Sequence, residues 1–144
     1  MLNANLTVAD MPADVRAAFG NDPVIVTLTP QFRLFKLTQY SLMNPGDASK
    51  PFNINQTLSH WWSPVLPYRE DRLGALGRYK EAQANDVTMR EMVRFAAAVS
   101  LDWNDLTNYL EVVTLDEIKC LWGTHSPQPA LSDNPDPAQC QHAL

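Results

Sequence analysis

Five side chains in this sequence have the donor chemistry for a soft or borderline metal: His60, Cys120, His125, Cys140 and His142. Only Cys140 and His142 stand close together, and a structural zinc draws on close-set pairs of sulfur and imidazole ligands. No CxxC or HExxH occurs, so no metal is expected. Acyl-transfer chemistry would have to draw on Ser59, Ser63, His60, Asp102 or Asp105. No GxSxG marks a nucleophile turn, and a serine beside a histidine in sequence is not a triad. The five glycines, Gly20, Gly46, Gly74, Gly77 and Gly123, are too dispersed for a phosphate-cradling loop. The carboxylates Asp102, Asp105 and Glu111 are more suggestive, because Trp103 and Tyr109 lie among them. An apolar cleft there would raise a carboxyl pKa toward the range of a general acid or base. The plainer alternative has both aspartates solvating a corner and Glu111 facing water from a strand. Arg33 falls on an apolar strand face, where a guanidinium wants a carboxylate or an anionic ligand. Otherwise it snorkels out beside the preceding turn.

The pair Trp61-Trp62 in the stretch SHWWSPVLPY is the other candidate, with Tyr68 close behind. Adjacent residues on a strand face opposite ways, so at most one tryptophan is expected in the core. The other is then exposed, and exposed tryptophans among Ser, Pro and Tyr mark protein contacts. In the rival arrangement both are covered, one by each layer.

These side chains must be positioned by a small set of elements. Thr7 with Asp10 forms a capping-box pattern, Pro12 suits a first turn, and a short helix ends near Phe19 before Gly20. VIVTLT at 24–29 and FRLFKLT at 32–38 read as strands joined through Pro30 and Gln31. Both faces of the second strand carry large apolar groups, so it belongs inside the sheet with cover on both sides. The core is expected where this region meets the stretch at 59–68. Between them, 41–56 is a long loop with a turn at Asn44-Pro45-Gly46-Asp47. Pro67 opens a helix with Glu70 and Asp71 in its first turn and a weak apolar stripe of Leu73, Leu76 and Tyr79 or Lys80. Its Gly74 and Gly77 allow close packing against Trp61 or Trp62. Thr88 and Glu91 form a second capping box, flanked by Val87 and Met92 as a staple. Met89, Met92, Val93, Ala96 and Val99 then recur with the period of one buried helical face, to about Ser100. A corner at 101–107 leads to a strand over 109–114. Thr114 and Glu117 repeat the capping-box pattern, which predicts a helix over 115–122 closed by Gly123; a strand over 118–122, hairpinned to 109–113, is the alternative. From 124 to 144, four prolines in twenty-one residues predict a tail that is loosely attached or disordered.

Composition narrows the functional classes. The chain has 144 residues, 45% hydrophobic and 19% charged, which fits one globular domain. Its net charge of −5 repels phosphate backbones, and the basic residues are scattered, so nucleic acid is not an expected partner. No apolar run nears the roughly 20 residues that span a bilayer, so no membrane is expected. The opening MLNANLTVADMPAD has no basic stretch followed by an apolar core, which argues against a secretory leader. Two cysteines are too few for a disulfide framework, and a cytoplasmic setting follows.

The order of elements also resembles the small ADP-ribosyltransferase fold. In that family an early strand carries a basic residue, the next a serine, and a late strand a catalytic glutamate. Arg33 or Lys36 in FRLFKLT matches the first position, Ser59 or Ser63 the second, and Glu111 the third. The resemblance implies that the basic side chain holds NAD, that aromatics stack on nicotinamide, and that Glu111 stabilises an oxocarbenium-like ribose. The family's aromatic-Arg pair stands here as Phe35-Lys36, and its Ser-Thr-Ser pattern is absent.

The expectation is therefore an α+β protein. Residues 1–123 form a single domain with a small, mostly antiparallel sheet of three to five strands and three or four packed helices. The leading function is a protein-binding accessory, adaptor or toxin-neutralising module working through Trp61, Trp62 and Tyr68, with no cofactor. An NAD-dependent transferase is the second reading. A small-molecule binding domain with an aromatic-lined pocket is the third.

Overall fold

Val24–Leu28 forms strand β1, with Val26 and Leu28 buried and the intervening Thr27 exposed, the alternation of a strand with one covered face. The chain then turns over Thr29–Phe32, where Phe32 N–H donates to the Thr29 carbonyl at 3.3 Å. Pro30 takes the second position, and Gln31, the third, has φ of 67°, the pattern of a type II turn. Arg33–Thr38 follows as β2. The turn does not fold β2 back on β1. Instead β1 pairs with β5 (Ile118–Trp122), while β2 lies between β3 (Ser63–Pro64) and β4 (Asn108–Val113), all antiparallel.

The computed structural model describes residues 1–39, 60–97, 99 and 104–126. In the β1–β5 and β2–β4 pairs the numbers of paired residues add to 146, from 24 with 122 in the first to 38 with 108 in the second. The two sheets are thus halves of one long two-stranded ribbon, interrupted over 29–32 on one side and 114–117 on the other. Thr114 bridges the interruption. Its carbonyl accepts from Gln31 N–H at 2.8 Å and its N–H donates to the Phe32 carbonyl at 3.0 Å. Its hydroxyl accepts from Phe32 N–H at 2.9 Å and donates to the Thr29 carbonyl at 2.7 Å. This is a bulge-like arrangement in which Gln31 and Phe32 both face one residue.

The architecture is α+β, with the strands in two sheets rather than one. As expected, β2 is an inner strand. Its Phe35 is 1% exposed and packs with Val65, Ala75, Val93 and Leu106, so the core does sit where the two stretches meet. The expected helix over 115–122 is instead β5, and its partner is β1 rather than the neighbouring β4. The capping pattern misled because the Thr114 hydroxyl is spent on the opposite side of the ribbon.

The Thr7–Asp10 capping box is present, but it caps only a 3-10 turn over Val8–Asp10; helix α1 (Ala13–Ala17) comes after it. The helix expected to open at Pro67 begins at Gly74 and runs to Ala84 as α2. Residues 68–71 form a tight turn closed by reciprocal backbone bonds between Tyr68 and Asp71, and Asp71 Oδ1 then accepts from the N–H groups of Leu73 and Gly74. The buried face of α2 is Gly74, Ala75, Arg78 and Ala82, whereas Leu76 and Tyr79 of the expected stripe are exposed. Close backbone approach explains the reversal. A Cβ on Gly74, whose φ is +59°, would lie 2.5 Å from the Val65 carbonyl oxygen. That close packing is against Val65–Leu66, not against the tryptophans. Helix α3 (Met89–Ala96) has the cap foreseen, with Thr88 accepting from Glu91 N–H and Glu91 reaching back to Thr88. Val93 is buried, with Met89 and Val99 packed on the same cluster.

The loop at 41–56 and its turn, Ser59, the corner residues Asp102 and Trp103, and residues 127–144 of the expected tail lie outside the described residues. The first tail residues, Thr124–Ser126, are held: Ser126 N–H donates to the Ala18 carbonyl and Gly20 N–H to the Thr124 carbonyl, each at 2.8 Å.

Candidate aromatic cleft

Because β3 starts only at Ser63, Trp61 and Trp62 precede the strand, and strand alternation does not separate them. Both line one cleft of about 760 Å3, together with Phe19, Trp122 and His125. Its walls are the N-terminal arm, the 60–64 segment, the 69–73 turn and the chain from β5 to His125. Trp61 lies between Phe19 and His125, with ring centroids at 5.5 and 5.7 Å. Behind the wall, Tyr68 meets Trp122 and Phe32 edge-on at 5.0 and 4.9 Å, a preferred geometry for aromatic pairs.

The polar groups of the cleft are largely tied to one another. Arg78 Nη2 lies 2.8 Å from Asp71 Oδ2, with both side chains nearly buried. The Trp122 indole N–H donates to Glu70 Oε2 at 2.8 Å, which holds the Glu70 carboxyl below its ordinary range. Burial pushes the His125 imidazole below its ordinary value, and the Arg78 charge adds to this, so it is neutral at pH 7. Burial likewise raises the Cys120 thiol on the same wall, which leaves it a poor nucleophile.

The structure gathers the site candidates into two separate groups. Arg33 and Glu111 meet at 2.5 Å, and Tyr109 donates its hydroxyl to the other Glu111 oxygen at 3.0 Å while stacking on Phe35. The hydrogen bond from Arg33 is the main cause of a lowered Glu111 pKa; burial, then the bond to Glu111, pushes Tyr109 up to about 12. Neither Arg33 nor Glu111 lines the cleft. Lys36 projects to the opposite face of β2, its Nζ 5.1 Å from the centre of the Trp62 ring. Ser63 pairs with Phe35 across β2–β3 and lines the cleft; Tyr68 supports it from behind. Asp105 is exposed and far in role from the cleft: its N–H donates to the Gln39 side chain.

Sequence reasoning missed Phe19, Trp122, Asp71, Arg78 and His125 as parts of one site. Phe19 and Trp122 read as helix ends, and His125 as part of the tail. Only the large apolar character of the first two hinted at a wall. Among the described residues no three of His, Cys, Asp and Glu gather as a metal site, and no helix is long and apolar enough to cross a membrane.

Comparison with known proteins finds no match, whether to a family model, a curated protein or a solved structure.

Proposed function

We propose that this protein binds a small organic molecule bearing a flat ring system in the aromatic cleft. The observation that carries the reading is that Trp61, Trp62 and Trp122 converge, with Phe19 and His125, on one concavity of about 760 Å3. Ligand pockets of that class span roughly 300–1,000 Å3 and combine apolar walls with a few fixed polar groups. Here Arg78 and Asp71 supply rigid polar edges, and Ser63 a hydroxyl, at the margin of an aromatic wall. A reduced, cytoplasmic setting goes with this reading, on the strength of two cysteines in the sequence.

Tryptophan emission titrated with a panel of planar heteroaromatic compounds, NAD among them, tests it. At least one should give a saturable change at micromolar concentration, weakened tenfold or more by Trp62→Ala. No response from any member at millimolar concentration sinks the proposal. If NAD alone responds and is cleaved, and Glu111→Gln abolishes cleavage, the transferase reading replaces it. The 38% exposure of Trp61 supports a protein contact as the second reading. Trp61→Ala would then abolish a partner complex, and no planar compound would change the emission of the wild type.

A further inference from the structure

Phe19, Trp61 and His125 come from three distant parts of the chain and meet in the wall of the cleft. Two short strand-like segments hold them. Phe19 and His125 form an antiparallel bridge, flanked by Gly20 N–H to the Thr124 carbonyl and Ser126 N–H to the Ala18 carbonyl, each at 2.8 Å. Thr124 Oγ1 adds a bond to Asn21 Oδ1 at 3.1 Å, and Ser126 Oγ donates to the Ala17 carbonyl at 2.9 Å. The approach is tight enough that a Cβ on Gly20 would lie 2.8 Å from the His125 carbonyl oxygen. The Trp61 ring sits between the two aromatic rings of this clasp, joined to the rest by ring contacts alone among the described residues.

We infer that this clasp is an acid-opened gate in the wall of the cleft, with His125 as its titrating element. The gating role rests on the ligand-binding reading above; the opening itself does not. The His125 ring meets Trp61 at 5.7 Å, and neither Trp61 nor its bridge partner Phe19 carries a countercharge for an imidazolium. The one charge acting on it is the Arg78 guanidinium of α2, of like sign to an imidazolium. Arg78 is in turn held by Asp71. The other acidic groups of the cleft are engaged elsewhere: Asp22 with Arg16, Glu70 with the Trp122 indole, Asp10 with Thr7. His60, Arg69 and Arg72 also line the cleft, and none of them supplies a negative charge.

The direction follows from linkage. Burial and Arg78 depress the folded-state pKa of His125 below its ordinary value of 6.5. The closed clasp is therefore fully favoured above that value, and is lost as pH falls through the lower, folded value. Protonation is accommodated once the 17–21 and 124–126 segments separate and the ring, half-buried in the clasp, is fully hydrated.

Amide hydrogen exchange of the ligand-free protein tests this, read as protection factors after intrinsic rates are divided out. Between pH 7.5 and pH 5, protection at Gly20 and Ser126 should fall at least tenfold, while Ala82 in α2 and Val93 in α3 hold theirs. In His125→Phe, and in His125→Gln as a second neutral replacement, the two clasp amides should lose this pH response. Unchanged protection at Gly20 and Ser126 in the wild type overturns the inference, as does an undiminished response in both variants. If the clasp opens but no compound binds in the cleft, the gate stands and the ligand-binding reading falls.

Discussion

The side chains with the greatest leverage are those whose charge is settled by one partner. Arg78 and Asp71 are nearly buried and, among the described residues, face only each other in ionic contact, so removing one charge strands the other. Asp71→Asn keeps an oxygen for the N–H groups of Leu73 and Gly74 but discards the countercharge. It should cost about 3 kcal/mol in denaturant unfolding, and Arg78→Met added to it should recover most of the loss. Tyr109 offers a cleaner readout. Its phenol is pushed up to about 12 by burial and by the bond to Glu111. One of the four tyrosines should therefore ionise near that value in an ultraviolet titration, and Glu111→Gln should move the step down. A phenol pKa raised on folding contributes stability that is full below its ordinary value of 10 and is lost as pH rises through the folded value. Glu111 works in the opposite sense. Its lowered pKa gives stability that is present above 4.5 and fades as pH falls through the folded value.

At the level of elements, Thr114 is the joint between the two sheets. Thr114→Val keeps the shape and removes the hydroxyl that serves Phe32 N–H and the Thr29 carbonyl. That change should destabilise the protein by about 0.5–1.5 kcal/mol, the net worth of one hydrogen bond, since Phe32 N–H keeps the Thr29 carbonyl and that carbonyl is exposed to water. The same residue shows what could be read from the chain alone. Thr88 and Glu91 announced α3 correctly because every group in that cap lies within one helical turn. Thr114 and Glu117 carry the same pattern, yet β1, far upstream, decides the outcome at β5. Strand β2 was legible because both its faces are apolar. The small-residue face of α2 was not, since it depends on where the Val65 backbone lies. Local chemistry was readable; choices made between distant segments were not. The cleft falls in the second class, as Phe19, Trp61, Trp122 and His125 share no local pattern.

For the molecule as a whole, the continuous ribbon ties both sheets to one unfolding event. The same two chain segments supply a strand pair to each sheet, in one register, so the two pairings are expected to unfold together. Far-UV circular dichroism and tryptophan emission should therefore give coincident transitions in urea. Separate midpoints would mean that the interruption at 29–32 and 114–117 divides the protein into two cooperative units.

The value of 146 shared by the β1–β5 and β2–β4 pairs has one more consequence, which concerns the lengths of the two connections. Four residues on one side stand against four on the other, so a change of length in one segment that no bulge absorbs must shift the register. One such residue inserted after Pro30 would slide β1 a single step along β5, and in a pleated pair one step turns every side chain to the opposite face. Val26 and Leu28 would be thrown into water. A second residue inserted after Asp116 would restore the alignment. The two turns, distant in the chain, thus behave as one coupled unit of length, keeping the register by gaining or losing residues in pairs.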